Sequence, residues 1–489
     1  MTVIKNIKNL ASDSMIYGLA GIATRVMGVV LTPLYTRVYS PEDYGVFGLV
    51  NNAYSLIALL LILSLDNSTA RWFYDTEDYQ YRKKIISTWF WFYLLISLVI
   101  GVFFFFSAPF WSQFIAYNSA ESIGYIQILA FSLPVSVATV VATKVLRFDK
   151  KPKSTVLLTF LQALFLIIAN VVFVLILNQG LTGAFTARLV AFVLMVPLSY
   201  YFLKRWLGGI KLADFRLLGK MIKYSMPFIP ASLSIWIINL SAVFFLNGKV
   251  SDQDLGFFQI AFAIAGFSGI VVNAFQQAWS PFAFSIINQE NAKETYGKIL
   301  LAYLLLIGSL TLLASLFSLE ALIIIATPAY YGAAAIASIL VFSSLFAGLT
   351  NIADLGSAIS KKTAPLGIVY SVSSVILVLL NIYLIPLYGV YGAAFAVCIS
   401  QFLTPVFVFY FSQKSYPIPY DFGRAFGFMV LLFLVAFLGY YFSREHSMIL
   451  SALIKIGTFG FFVLISILIF KREFLFLRKL ILKRITKTT

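Results

Sequence analysis

Fourteen apolar runs of near-spanning length, separated by short polar breaks or breaks bearing Pro and Gly, leave this 489-residue chain almost no sequence for a water-soluble domain. They fall at roughly 15–36, 44–65, 85–107, 124–143, 155–177, 181–203, 224–247, 255–285, 297–319, 332–353, 364–386, 389–412, 425–443 and 449–470. A helix needs about 20 apolar residues to cross a bilayer, so fourteen consume most of the 61% of the chain that is hydrophobic. Only 11% of residues are charged, against about 25% in an ordinary soluble protein. The pattern predicts an all-α polytopic membrane protein and excludes a secreted protein, a cytosolic enzyme and a single-pass receptor. The first run is too long for a signal-peptide core and reads as a retained span.

The net charge of +17 would point to nucleic acid in a soluble protein. Here its distribution points to topology instead. With the N-terminus in the cytoplasm, the inward-facing segments and the C-terminal tail hold 30 of the 36 Lys and Arg residues. The outward segments hold Arg37, Lys249, Arg444 and Lys455, and Arg25 and Arg188 lie inside spans. Both termini are therefore expected in the cytoplasm, and no nucleic-acid partner is expected. Cys398 is the single cysteine and His446 the single histidine. Disulfide frameworks, histidine catalysis and metal cages are thereby excluded, and no cofactor is expected.

The chain also repeats itself at an offset of about 211 residues. Ser40-Pro41-Glu42-Asp43-Tyr44-Gly45 reappears as Ser251-Asp252-Gln253-Asp254-Leu255-Gly256, and Lys150-Lys151 falls on Lys361-Lys362. Asn170 falls on Asn381, and at offset 209 Gly183-Ala184-Phe185-Thr186-Ala187 matches Gly392-Ala393-Ala394-Phe395-Ala396. Six spans per half make the repeat parallel, an arrangement of transporters that rock around a central cavity. The expected domains are a six-helix bundle at 1–203, a basic cytoplasmic linker at 204–223 and a second bundle at 224–412. An added helix pair at 413–470 and a basic tail at 471–489 complete the chain.

The stretch Leu31-Thr32-Pro33-Leu34-Tyr35-Thr36-Arg37-Val38-Tyr39-Ser40-Pro41-Glu42-Asp43-Tyr44-Gly45 resembles the opening signature of bacterial polysaccharide (O-antigen type) flippases. These belong to the multidrug/oligosaccharidyl-lipid/polysaccharide exporter superfamily. The span count, the parallel halves and the unpaired last two spans extend the resemblance over the whole chain. The resemblance implies that an undecaprenyl-diphosphate-linked oligosaccharide moves from the inner to the outer leaflet of the bacterial inner membrane by alternating access. It also implies a polysaccharide polymerase and a chain-length regulator as further candidate partners.

Arg25 lies midway along its span, roughly 15 Å from either interface at 1.5 Å per residue. A guanidinium there costs at least about 2.5 kcal/mol, so it needs water, a carboxylate or an anionic ligand. A planar fork suits the oxygens of a lipid diphosphate, and a brace for helix-end carbonyls or a buried acid is the structural alternative. Arg188 lies roughly 10 Å deep from the outer end of the sixth span, where it either joins Arg25 or snorkels to the headgroups. Their repeat positions, Trp236 and Val397, are uncharged.

Asp66 and Asp354 end inward-running spans, where they would gate by pairing with Arg71 or Lys361, carry a coupling proton, or simply be solvated. Asn51, Asn52, Asn239, Asn273, Gln276 and Gln277 are polar groups in spans two, seven and eight, which line the cavity in the resembled superfamily. They are candidate sugar ligands or interhelical bonds. Pro227 and Pro230 open the seventh span and are candidate hinge residues. The segment 470–484 reads as a basic amphipathic helix on anionic membrane lipid, with docking of a cytoplasmic synthesis partner as the alternative. One rival function is a multidrug or cation antiporter of the same superfamily, which needs deep carboxylates. A polytopic polymerase, glycosyltransferase or acyltransferase needs convergent acids and bases on a large loop, which this sequence lacks, so no enzymatic activity is expected.

Overall fold

The computed structural model describes residues 27–115, 120–362, 364–444 and 446–470, and among them the chain is helical with no strand. The first helix, α1, is described over 27–38. It is followed by α2 (Pro41–Ile62), α3 (Leu65–Asp75), α4 (Tyr79–Ile115), α5 (Ala120–Phe148), α6 (Pro152–Asn170) and α7 (Gly180–Leu203). Next come α8 (Phe215–Ser225), α9 (Phe228–Leu240), α10 (Ala242–Leu246), α11 (Asp252–Ser285), α12 (Ala292–Tyr303), α13 (Ser309–Leu316) and α14 (Ser318–Ile325). The series ends with α15 (Ala334–Ala353), α16 (Leu355–Ile359), α17 (Ala364–Ser415), α18 (Phe422–Ser443) and α19 (Met448–Ile469).

Among the described residues, eleven helical stretches are long and apolar enough to cross a membrane, or twelve with the bent pair α8–α9 counted as one span. The stretch Pro365–Ser415 is 51 residues long, roughly 77 Å of helix against a hydrocarbon core of about 30 Å. It is not one rod. At Gly389 the backbone turns to φ 55° and ψ −130°, separating two helices that are each long enough to span. Most of the run expected at 15–36 lies outside the described residues, as does the tail beyond 470.

The repeated sequence blocks prove to be helix junctions. Ser40 caps α2 by accepting the Asp43 amide, while Asp43 reaches back to Ser40, a reciprocal capping box with Pro41 in the first turn. At the start of α11 the Ser251 hydroxyl likewise accepts the Asp254 amide, and it donates to the Asp254 carboxylate. The doublets Lys150-Lys151 and Lys361-Lys362 both end a helix in a Schellman-type turn. The first lysine of each is left-handed, at φ 52° and φ 58°. The second donates five residues back, from Lys151 to Leu146 and from Lys362 to Ser357. Gly180 and Gly389 share a positive φ of 56° and 55°, the conformation that only glycine adopts without strain. Short-range chemistry thus accounts for why these blocks recur.

The chain divides into two compact units. One comprises Met1–Gln259 with Asn381–Val390, and the other Ile260–Leu380 with Tyr391–Thr489. In the first, α4, α5, α6 and α7 pack side by side around Trp89, Val137 and Met195, with α3 and α8 closing one end through Phe73, Trp206 and Met221. In the second, α12, α13, α15, α18 and α19 surround Tyr296, Tyr303, Phe346, Phe428 and Phe462. Outward positions are apolar as well, down to Phe106 on α4 and Leu468 on α19, as expected where the surrounding solvent is lipid.

Two spans are less regular than their apolar runs predict. The second breaks at Leu63 and Ser64, both left-handed at φ 47° and φ 52°, before resuming as α3. The seventh bends by 54° between α8 and α9, where Pro227 has no amide hydrogen to continue the ladder. The two breaks touch: the Ser225 hydroxyl donates to the Ser64 carbonyl at 3.1 Å, and Ser64 and Ser232 exchange a hydroxyl bond at 3.4 Å.

Candidate functional site

In the first unit, residues of the 31–45 signature build an aromatic wall. Tyr35 and Tyr39 are buried with rings stacked at 5.4 Å, and Phe47 closes on Tyr35 at 4.8 Å and on Phe185 at 5.7 Å. The Tyr35 hydroxyl donates to Asn170 Oδ1 at 2.7 Å, and Asn170 donates to the Leu166 carbonyl at 2.8 Å. The Tyr39 hydroxyl donates to the Gly180 carbonyl at 2.9 Å. These bonds fasten α1 to the end of α6 and the start of α7, across a π-helical segment at Val171–Ile176 of the kind often found at functional sites.

Arg188 projects from α7 beside this wall. Its guanidinium carbon lies 5.2 Å from the centroid of the Tyr54 ring on α2, within cation–π range. The residue is half-buried, and among the described residues no carboxylate pairs with it. The face it meets is therefore aromatic, the Tyr54 ring. The repeat positions of Arg188, Tyr54 and Tyr35 hold Val397, Ala265 and Leu246, so the cationic cluster belongs to one half alone. Tyr54 and Asn170 were missed as site residues, although the repeat alignment already paired Asn170 with Asn381. Arg25 lies outside the described residues.

The polar side chains expected to meet sugar divide by partner. Asn52 donates to the Leu240 carbonyl at 3.4 Å, and Trp236, the repeat counterpart of Arg25, donates to Ser55 at 2.8 Å, so both tie α2 to α9. Asn51 donates to the Phe47 carbonyl of its own helix, while its buried Oδ1 has no partner among the described residues. Asn239 and Asn273 donate to carbonyls one turn back, and Asn239 is exposed. In the second unit Gln276 donates to Asn351 Oδ1 at 2.7 Å, and Trp279 donates to the Asn351 carbonyl at 3.1 Å, joining α11 to α15. Gln277 is half-buried.

The pairings expected of the two aspartates are corrected. Asp66 is bound by Lys144 of α5 at 2.6 Å, whereas Arg71 pairs with Asp75 one helical turn away at 3.2 Å. Asp66 and Arg71 both lie on α3, where positions five apart point about 140° away from each other, whereas Arg71 and Asp75, four apart, share a face. Asp354 sits half-buried at the joint of α15 and α16, and among the described residues it makes no ion pair with Lys361, which is exposed in its left-handed turn. Pro227 stands at the 54° bend and Pro230 within the first turn of α9. His446 is exposed, and among the described residues no cluster of His, Cys, Asp or Glu could hold a metal.

Two features of the second unit were not legible beforehand. Lys455, placed at the outer side by the charge count, is buried in α19 and grips Glu320 of α14 through both carboxylate oxygens at 2.7 and 2.9 Å. A cavity of about 630 Å³ lies among α13, α15, α17 and α18, lined by Phe342, Phe346, Phe395, Phe402, Phe433 and Phe437, with Ser315, Ser338, Tyr391 and Tyr440 among its residues bearing hydroxyls.

Residues 34–301 match the family described as polysaccharide biosynthesis protein. No curated protein sequence matches the chain. Among solved structures, a lipid II flippase, MurJ, in an inward closed conformation superimposes with a TM-score of 0.73 at 14% identity. That match covers 94% of this chain and 100% of that one. A multidrug resistance MATE transporter of the MOP superfamily in its inward-facing conformation gives 0.61 at 16% identity, covering 85% and 95%. Its outward-facing counterpart gives 0.56 at 17%, covering 86% and 96%. With a family match over more than half its length and this fold, the chain belongs to the polysaccharide biosynthesis protein family, with the architecture of the MOP-superfamily flippases and transporters.

Proposed function

We propose that the protein flips a lipid-diphosphate-linked oligosaccharide, a repeat unit of O-antigen or a similar polysaccharide, from the cytoplasmic to the periplasmic leaflet of the bacterial plasma membrane. In this reading it makes fourteen spans with both ends in the cytoplasm, and its two six-span halves rock in alternating access. It moves its cargo without chemical conversion. The observation that carries the reading is Arg188: an arginine inside the membrane, faced by tyrosine and unpaired by any described carboxylate, is suited to an anionic cargo. With Arg25 it would engage the diphosphate, while the asparagine and glutamine side chains contact sugar. The aromatic-lined cavity of the second unit suits an isoprenoid chain.

The likeness to MATE transporters supports a second reading, a multidrug or cation antiporter. Such a protein holds cations on deep carboxylates, whereas the deep charge beside Tyr54 is positive. Lipid analysis of a deletion strain separates the two. A flippase leaves a lipid-diphosphate-linked oligosaccharide accumulated on the cytoplasmic leaflet, and Arg25→Ala or Arg188→Ala reproduces that defect at normal protein levels. No accumulation, together with new sensitivity to cationic drugs, selects the antiporter.

A further inference from the structure

The connection from Lys204 to Ser225 carries six cationic side chains and one carboxylate, Asp214. That carboxylate is already committed. It caps α8 by accepting the Arg216 and Leu217 amides at 2.9 and 3.1 Å, and it pairs with Lys84 Nζ of α4 at 2.6 Å. Arg205 lies over the Trp206 and Tyr79 rings at 5.1 and 5.8 Å, and Lys204 over Tyr201 at 4.5 Å. α8 turns Leu217, Leu218 and Met221 into the protein, against α3 and α4. On the opposite face Arg216, Lys220 and Lys223 follow at i, i+4 and i+7, all exposed, and none makes an ion pair among the described residues. Phe215, 77% exposed, and Ile210, 62% exposed, stand beside them. Three uncompensated cations flanked by outward apolar groups have the chemistry of a surface that meets lipid headgroups and the adjoining acyl boundary.

We propose that the outer face of α8 binds the phosphodiester headgroups of anionic phospholipid through Arg216, Lys220 and Lys223, with Phe215 and Ile210 entering the acyl boundary. The site is independent of the cargo reading, because it lies on α8, which carries no residue of the Arg188 cluster, and needs no sugar. It places an anionic-lipid contact directly before the bend at Pro227, so that lipid composition bears on the helix that carries the bend.

The test uses full-length protein purified in neutral detergent and titrated separately with phosphatidylglycerol and phosphatidylcholine, with bound lipid counted by native mass spectrometry. The wild-type protein should prefer phosphatidylglycerol. The triple variant Arg216→Ala/Lys220→Ala/Lys223→Ala should lose about tenfold or more of that preference. The charge-conserving Arg216→Lys/Lys220→Arg/Lys223→Arg should keep it, as should Lys150→Ala/Lys153→Ala in another basic turn. If the triple variant does not fold, the three single alanine variants read the same quantity, each with a several-fold loss. An unchanged preference in the alanine variants, an equal loss in the Lys150/Lys153 control, or displacement of the lipid by inorganic pyrophosphate at matched ionic strength would overturn the proposal.

Discussion

The Arg188 guanidinium faces the Tyr54 ring within the helices of the first unit, and this dictates how substitutions there behave. Arg188→Ala should abolish export of surface polysaccharide while the protein inserts normally. Arg188→Lys should restore it only in part, because an ammonium lacks the planar fork. If Arg188 instead braces the helices, both variants lower the amount of folded protein, and transport per remaining molecule is normal. Repeat-related asparagines give an internal contrast. Asn170 is satisfied by Tyr35, but Asn381 is fully buried with neither amide atom bonded among the described residues, and the repeat position of the tyrosine holds Leu246. Asn170→Leu should therefore cost about 1–3 kcal/mol by stranding the Tyr35 hydroxyl, whereas Asn381→Leu should be neutral or stabilising; thermal unfolding in detergent compares them. The Lys455–Glu320 pair follows the logic of buried ions. Removing either partner should cost about 3–5 kcal/mol, and replacing both with leucine should recover most of that loss.

Helix ends carry the next level. A Cβ on Gly256 would come 1.8 Å from the Pro41 carbonyl oxygen, and one on Gly45 would come 3.0 Å from the Gly256 amide nitrogen. The two capped helix starts therefore meet backbone to backbone, and only glycine permits it. Gly256→Val should separate them and reduce export more than Gly266→Val, whose Cβ meets nothing within 4 Å. Paired cysteines at positions 44 and 255 test whether this contact opens during transport: full export while they are cross-linked would rule out its opening. At the other end of α8, the Lys84 hydrogen bond holds the Asp214 carboxyl down to about 2. A depressed carboxylate contributes stability that is complete above its unfolded pKa of about 3.9 and is lost as pH falls through 2. Asp214→Asn should thus lower the melting temperature at pH 7 and flatten its decline between about pH 4 and 2.

For the whole molecule, span number and orientation stand or fall together. A phosphatase reporter fused at Gln179 should be active, and fusions at Lys151, Lys211 or the C-terminus inactive. Activity at Lys211 would break the even count of spans per half and with it the parallel repeat. The repeat also accounts for chemical asymmetry within a duplicated plan. Both halves keep a serine cap paired with an aspartate, the lysine turns and the positive-φ glycines, since every copy of the fold must end and restart its helices in the same way. Only the first carries Arg188, Tyr54 and Tyr35, whose repeat positions hold Val397, Ala265 and Leu246.

The amino-acid sequence by itself determined the helical membrane class, the repeat and its junctions. These rest on apolar run length and on bonds spanning five residues or fewer, such as Ser40 to Asp43 and Lys151 to Leu146. It also marked Arg188 as unusual, because one charge in an apolar run is visible without neighbours. Partnership was a different matter. Lys144 reaching Asp66, Lys455 gripping Glu320, Tyr35 bonding Asn170 and Gln276 bonding Asn351 join residues 75 to 135 positions apart. Each depends on which helix faces bundle packing brings together. The left-handed break at Leu63–Ser64 carries no glycine or proline to announce it. Only the packed structure decided these, because contact energies over such separations are set by the relative rotation of neighbouring helices, which local sequence leaves free.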